Sequence, residues 1–219
     1  MFIGHYGLAL GVKKVAPKVS LLMLFVAVEF VDILWPVLLL FNVERVKIHP
    51  GFTEVTPFEF VHYPYTHSLM MGFIWGLLIG FAYWLFKKDL RSAIVVGLAV
   101  LSHWFLDFVV HVADLPLTPF GDIKVGMGLW NYKIATLVLE CIIFFAGVYI
   151  YANNTRAINK AGKWSLGVMT GFFVFANVYN MFGPPPEDSI MALFVSFVVL
   201  QIIILALAYW VEKNRTVVD

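Results

Sequence analysis

The sequence predicts an all-α membrane protein: a polytopic bundle of about six transmembrane helices, with a short apolar helix ahead of the first. Composition is the first reason. Of 219 residues, 61% are hydrophobic, 17% aromatic and only 13% charged, whereas soluble domains carry roughly 25% charged residues. The second reason is that the apolar residues are gathered into six long stretches. The third is that lysine and arginine fall mostly on alternate connections.

Each of the six stretches is long enough to cross a bilayer, because about 20 apolar residues span a hydrocarbon core some 30 Å thick. The predicted spans are residues 19–41, 66–86, 92–112, 133–151, 164–182 and 189–211. We find no internal repeat and expect residues 1–219 to form a single membrane domain. Residues 1–12 are apolar but too short to span, so this segment is predicted to be interfacial or re-entrant.

The basic residues predict the orientation of the bundle. Cytoplasmic connections carry more lysine and arginine than external ones. One side of the predicted bundle receives Lys13, Lys14, Lys18, Lys87, Lys88, Arg91, Arg156, Lys160, Lys163, Lys213 and Arg215, and the other receives Arg45, Lys47, Lys124 and Lys133. This asymmetry predicts a plasma (inner) membrane protein with both termini in the cytoplasm.

Several function classes are excluded by the same composition. A net charge of +1 leaves no basic surface for nucleic acid. A single cysteine, Cys141, excludes an intrachain disulfide framework. The sequence has neither His-Glu-x-x-His nor Gly-x-Ser-x-Gly, which disfavours an intramembrane protease.

The predicted spans contain ionisable residues, which are costly in a bilayer and therefore indicate functional sites. His103, Asp107 and His111 follow one another at four-residue intervals and share a helix face. The others are Glu29, Asp32, His67 and Glu140. At a rise of about 1.5 Å per residue, Asp32, His103, Asp107, Asn177 and Glu140 all lie roughly 18–24 Å from the cytoplasmic ends of their helices. Five polar groups on four spans therefore form one layer in the outer half of the bilayer.

Not every polar residue in this layer needs a function. Asn177 and Gln201 are best explained as hydrogen-bond partners between helices. For Glu29, pairing with a neighbouring helix and a functional role are equally compatible with the sequence. For His103 and Asp107, the shared layer with Asp32 favours a metal or catalytic site.

The residue types point to a divalent metal, with zinc as the expected ion. Imidazole and carboxylate are common zinc ligands, and three protein ligands leave a position for water. A cation would also neutralise carboxylates in a medium of low dielectric constant. Bound water could then become a nucleophile, with Asp107 or Glu140 as the general base.

Four ordered segments resemble the YdjM-like family of metal-dependent hydrolases of the inner membrane, which is itself distantly similar to zinc-dependent phospholipase C. The resemblance covers roughly residues 4–110. The segments are Gly4-His5, Val31-Asp32-Ile33, His62-Tyr63-Pro64-Tyr65-Thr66-His67-Ser68 and Leu101-Ser102-His103-Trp104-Phe105-Leu106-Asp107.

This resemblance implies a set of metal ligands and accessory groups. The implied ligands are His5, Asp32, His67, His103 and Asp107, with His62 accessory. His111 and Glu29 are further accessory candidates from their positions in the spans. His5 can join the others only if residues 1–12 form a re-entrant helix, which could carry it inward by about 12–18 Å.

The sequence also departs from the family pattern. Leu34 and Trp35 stand where the family has Asp and His, and Tyr63 and Pro64 replace Arg and Gly. Thr136 replaces a later His of the phospholipase pattern. These departures favour one or two ions over a larger cluster.

The sequence therefore predicts a membrane-embedded hydrolase that uses a divalent metal, expected to be zinc, on an ester or phosphodiester bond. The depth of the polar layer suggests membrane lipid or a lipid-linked molecule as the substrate. Two alternatives remain open. The layer could form the pathway of an ion or proton-coupled transporter, or the chain could be a non-catalytic scaffold that kept the hydrolase fold.

Overall fold

A computed structural model describes residues 1–218 of the chain, which is mostly helical with a few short strands. The helices are α1 (Ile3–Val12), α2 (Leu21–Val28), α3 (Phe30–Leu40), α4 (Pro64–His67), α5 (Leu69–Lys87), α6 (Leu90–Val110), α7 (Lys133–Asn153), α8 (Lys160–Phe182) and α9 (Ile190–Asn214). The strands are β1 (Arg45–Ile48), β2 (Phe58–His62), β3 (Leu115–Pro116), β4 (Lys124–Val125), β5 (Thr155–Ala157) and β6 (Arg215–Val217).

Within residues 1–218, the five helices from α5 to α9 are long and apolar enough to cross a membrane, and α2 with α3 makes a sixth if the pair is one span. Several of these helices begin at a side-chain cap, where a polar residue accepts a backbone N–H of the first turn. Ser68 caps α5, Asp89 caps α6, Asn159 caps α8 and Ser189 caps α9. The all-α membrane bundle predicted from composition is confirmed.

The first predicted span, residues 19–41, is not one straight helix. It breaks at Glu29 into α2 and α3, whose axes differ by 53°. The break was missed because Val28 and Phe30 on either side are apolar, and a hydropathy window responds to apolar content but not to direction. Pro36 within α3 also removes the N–H that would bond the carbonyl of Asp32.

Helix α1 is buried inside the bundle and does not lie flat on its surface, as the re-entrant alternative requires. Its residues from Ile3 to Gly7 are buried, and it packs along α7. Glycines make this approach possible, because a Cβ at Gly7 would lie 2.5 Å from Cα of Phe144, and one at Gly147 would overlap the carbonyl of Gly7. The backbones of α1 and α7 are thus in direct contact.

Helices α5 and α6 pack in the same manner. Gly72, Gly76 and Gly80 repeat every four residues along the buried face of α5. A Cβ at Gly76 would lie 2.7 Å from the carbonyl oxygen of Gly97 on α6. This contact holds α6, and the polar residues on it, against α5.

The connections collect at two ends of the bundle. At one end, which we call the hairpin end, β1 pairs antiparallel with β2 and β3 with β4. Val46 and Ile48 face Phe60 and Phe58 across the first hairpin, and Trp35 packs on both phenylalanine rings. At the opposite end, β5 pairs with β6.

Candidate metal centre

Four helices bring the five predicted ligands together near the hairpin end of the bundle. His5 comes from α1, Asp32 from the first turn of α3, His67 from the end of α4, and His103 and Asp107 from adjacent turns of α6. Their side chains are at most 4% exposed, except that of Asp32, which is 23% exposed.

Asp107 lies at the centre of the cluster. Its Oδ1 is 3.1 Å from Nε2 of His5, and its Oδ2 is 3.0 Å from Nε2 of His103. The same Oδ2 is 3.6 Å from Nε2 of His111 and 3.8 Å from Nε2 of His67. Four imidazole rings thus direct the same ring nitrogen at one carboxylate.

Asp32 approaches from the other side. Its Oδ1 lies 3.0 Å from Nε2 of His67 and 3.7 Å from Nε2 of His103. Two overlapping groups result, His5 with His103 and Asp107, and Asp32 with His67 and His103, each with ligand atoms within 4.8 Å of one another. Bonds of 2.0–2.2 Å to a tetrahedral zinc put ligand atoms about 3.4 Å apart, so either group could hold a divalent metal ion.

The hydrogen bond of His103 defines which of its nitrogens is available. Nδ1 lies 2.7 Å from the carbonyl oxygen of Val28. Because a carbonyl can only accept, Nδ1 carries the hydrogen. Neutral His103 then has its lone pair on Nε2. Oδ2 of Asp107 lies 3.0 Å from this buried nitrogen, but a carboxylate cannot donate to the lone pair, and Nε2 makes no hydrogen bond within residues 1–218. A lone pair that faces two carboxylates fits a bound cation.

The break between α2 and α3 supplies that carbonyl. Val28 is the last residue of α2, and carbonyls at the end of a helix have no partner within it. The bend therefore frees a backbone acceptor at the position where His103 needs one. Backbone carbonyls commonly orient metal-binding histidines in this way.

His111 is oriented by residues that the sequence analysis did not single out. Its Nδ1 lies 3.0 Å from Oδ1 of Asp114, which also accepts the hydroxyl of Tyr63 at 3.1 Å. Burial and the nearby Asp114 carboxylate raise the pKa of Tyr63 well above its ordinary value, so Tyr63 remains a hydrogen-bond donor. Asp114 lies in a connection between helices, and only its spacing from His111 in the sequence could have indicated that it contacts this histidine.

His5 completes the cluster from α1. Its ring stacks on that of His103 with 3.9 Å between ring centres and 3° between planes. The backbone nitrogen of Met1 also contacts Oδ1 of Asp107. Because α1 is buried inside the bundle, His5 reaches the other proposed ligands.

Glu140, predicted as a possible general base, contacts the backbone at the start of α1. Its carboxylate accepts the backbone N–H of Phe2 at 3.0 and 3.1 Å and that of Gly4 at 3.4 Å. These are orphan donors at the start of α1, where a carboxylate is favoured by the helix dipole. We therefore assign Glu140 to holding α1 in place.

The remaining candidates lie outside both ligand groups. Oε2 of Glu29 accepts the side-chain amide of Gln201 at 3.2 Å, which is a contact between helices. His62 lies on β2, where its ring contacts that of Tyr65. Asn177 is buried, and within residues 1–218 its amide has no hydrogen-bond partner, contrary to the expected contact between helices.

Comparison with known proteins identifies the family. No curated protein and no solved structure matches the chain. The model of the YdjM inner membrane protein family matches residues 39–183, about two thirds of the chain. The matched region includes His67, His103 and Asp107 and begins after His5 and Asp32. The resemblance seen in the motifs is thereby confirmed, and this integral membrane protein belongs to the YdjM inner membrane protein family.

Proposed function

We propose that the chain is a membrane-embedded, metal-dependent hydrolase that cleaves an ester or phosphodiester bond in a lipid or lipid-linked molecule. The observation that carries this proposal is the common orientation of His67, His103 and His111. Nδ1 lies against a carbonyl oxygen in His103, a carboxylate oxygen in His111 and a hydroxyl in His67, and each Nε2 is directed at Asp32 or Asp107. This is the arrangement of histidines that bind metals.

The residues divide the work of such a reaction among them. His5, Asp32, His67, His103 and Asp107 would hold the ion. When bound, a divalent ion supplies Lewis acidity toward the scissile bond and toward attacking water. Asp32 is the most exposed carboxylate of the cluster, so water and substrate can approach the site beside it. Asp114 orients His111 so that Nε2 can hold a proton beside Asp107.

Lipid is the favoured substrate class because of where the cluster opens. Asp32 is the only one of the five proposed ligands, all within residues 1–218, with a side chain more than 4% exposed. Helix α5, which follows His67 in the chain, has an apolar outer surface on which Phe73, Leu77 and Phe81 are at least half exposed. A molecule that diffuses within the bilayer would reach Asp32 along such a surface.

The first test is metal content and hydrolysis by the purified full chain. Mass spectrometry should find bound metal in the wild type and at least about 10-fold less in His103→Ala, the scale of loss that even outer-shell changes produce. The matched control is His49→Ala, because His49 is an exposed histidine on the hairpin loop. The wild type should cleave a chromogenic phosphodiester, a carboxylester or a lipid headgroup, and chelation should abolish this activity. Equal metal in wild type and His103→Ala would refute the metal site.

One observation favours a transporter instead. Broken helices with polar groups at the break are typical of secondary transporters, and the break at Glu29 leaves one buried oxygen of that carboxylate, Oε1, without a partner within residues 1–218. However, the same break provides the Val28 carbonyl to His103, which gives it a use within a hydrolase. Metal- or proton-dependent flux in proteoliposomes without cleavage would support transport, and inactivity despite stoichiometric metal would support a scaffold.

A further inference from the structure

Glu44 is a buried carboxylate with no part in the cluster itself. It follows α3 in the chain, at the hairpin end, and is only 1% exposed. Its Oε1 accepts the backbone N–H of Tyr65 at 2.8 Å and that of Thr66 at 2.9 Å. Its Oε2 accepts the hydroxyl of Thr66 at 2.7 Å. Burial raises the pKa of the Glu44 carboxyl above its ordinary value, and these three hydrogen bonds limit the increase.

The direction of these hydrogen bonds also determines which ring nitrogen of His67 carries the hydrogen. A threonine hydroxyl has one hydrogen, and an ionised carboxylate can only accept. The hydrogen of Thr66 therefore points to Glu44, and Oγ1 of Thr66 is left as an acceptor. Nδ1 of His67 lies 2.7 Å from this Oγ1 and must donate to it. The lone pair of His67 is then on Nε2, which faces Asp32.

We propose that Glu44 is a positioning residue that sets the tautomer of His67 through the hydroxyl of Thr66 and so prepares Nε2 to bind the metal. This proposal rests on the metal site proposed above. Carboxylates behind metal-binding histidines commonly act in this way, and here a threonine is interposed. Asp114 contacts Nδ1 of His111 in the same way, but without an intervening threonine.

The substitution Glu44→Gln separates this role from simple packing, because it changes few atoms and reverses the hydrogen-bond direction. The glutamine oxygen would keep the two backbone donors, so its NH2 group would face Oγ1 of Thr66. The hydroxyl of Thr66 would then donate to Nδ1 of His67. That places the hydrogen of His67 on Nε2, where it blocks metal binding. We expect metal affinity to fall by about 10- to 100-fold.

The experiment measures Zn²⁺ affinity of the purified full chain by competition with a chromogenic chelator, and the absorption spectrum after loading with Co²⁺. Glu44→Gln should lower affinity and alter the Co²⁺ spectrum, because a nitrogen ligand is lost. Thr66→Val should also weaken binding, whereas Thr66→Ser should restore it. The matched control is Glu54→Gln, because Glu54 also accepts a backbone N–H, that of Lys133 at 2.8 Å.

The outcomes separate this proposal from the proposed function. If Glu44→Gln binds as the wild type does while His67→Ala does not, the role of Glu44 is overturned and the metal site stands. If the wild type itself binds no metal, both proposals fall. If Glu44→Gln does not fold, the two Thr66 variants test the proposal instead. Equal Zn²⁺ affinity in Thr66→Val and Thr66→Ser would overturn it.

Discussion

At the scale of the residue, Asp107 matters most because four imidazoles converge on it. A carboxylate out of contact with water is stable only when it is paired or binds a cation. The Nε2 atoms around it can carry protons, or they can bind an ion together with it. Either way, a neutral side chain at this position would remove the group around which the others are arranged.

Metal should therefore stabilise the protein through Asp107. A ligand that binds the folded state stabilises it by about 2.7 kcal/mol when its free concentration is 100 times Kd. We expect Zn²⁺ to raise the Tm of the wild type, chelation to lower it, and Asp107→Asn to lose most of this response. Thermal unfolding in detergent measures the shift. Asp122→Asn, at an exposed loop aspartate, is the control, and the same response in both variants would contradict the prediction.

Sequence could indicate some of these residues and not others. His103, Asp107 and His111 share a helix face by spacing alone, and the structure directs all three at one point. Glu44 could not be found in this way, because an acid in a loop resembles the solvated Glu54 until the fold is known. The Val28 carbonyl is a backbone group, so the identity of residue 28 does not indicate its role.

At the scale of the element, α1 is held by glycines and by the carboxylates of Glu140 and Asp107. Its backbone touches that of α7 at Gly7 and Gly147, and Glu140 accepts the N–H groups of its first turn. Resemblance to the family, and not periodicity, suggested that His5 belongs to the site. The sequence predicted neither the break at Glu29 nor the β1–β2 hairpin, because hydropathy reports neither the direction of a helix axis nor the pairing of short strands.

A side chain at Gly147 should displace α1 and with it His5. Gly147→Ala places a Cβ against the carbonyl of Gly7, and such overpacking costs about 1–3 kcal/mol. We expect reduced thermal stability together with a loss of metal similar to that of His5→Ala. Gly167→Ala is the matched control, because that glycine lies on α8 with open space around it. Wild-type metal content in Gly147→Ala would show that α1 does not depend on this contact.

At the scale of the whole molecule, the charge distribution and the bundle agree on two distinct ends. The hairpin end carries Arg45, Lys47 and Lys124, and the opposite end carries most of the other basic residues. By the positive-inside rule, we propose that the opposite end faces the cytoplasm. The metal cluster would then lie in the outer half of the membrane.

Reporter fusions test this orientation. Fusions at Lys88, Lys160 and Arg215 should report the cytoplasm, because basic connections are retained there. A reporter inserted near Glu54, in the loop between β1 and β2, should report the outside. An external signal from any of the first three positions would overturn the proposed orientation.

The contact between α1 and α7 also imposes an order on biosynthesis. Domains form as the chain emerges from the ribosome, with N-terminal parts available first. His5 is made before every other residue of the cluster, yet α1 cannot reach its final position until Gly147 has been synthesised and α7 has inserted. Asp32, His67, His103 and Asp107 can meet earlier. The first of the proposed ligands to be translated is thus the last to arrive, and the cluster is complete only after most of the chain has been synthesised.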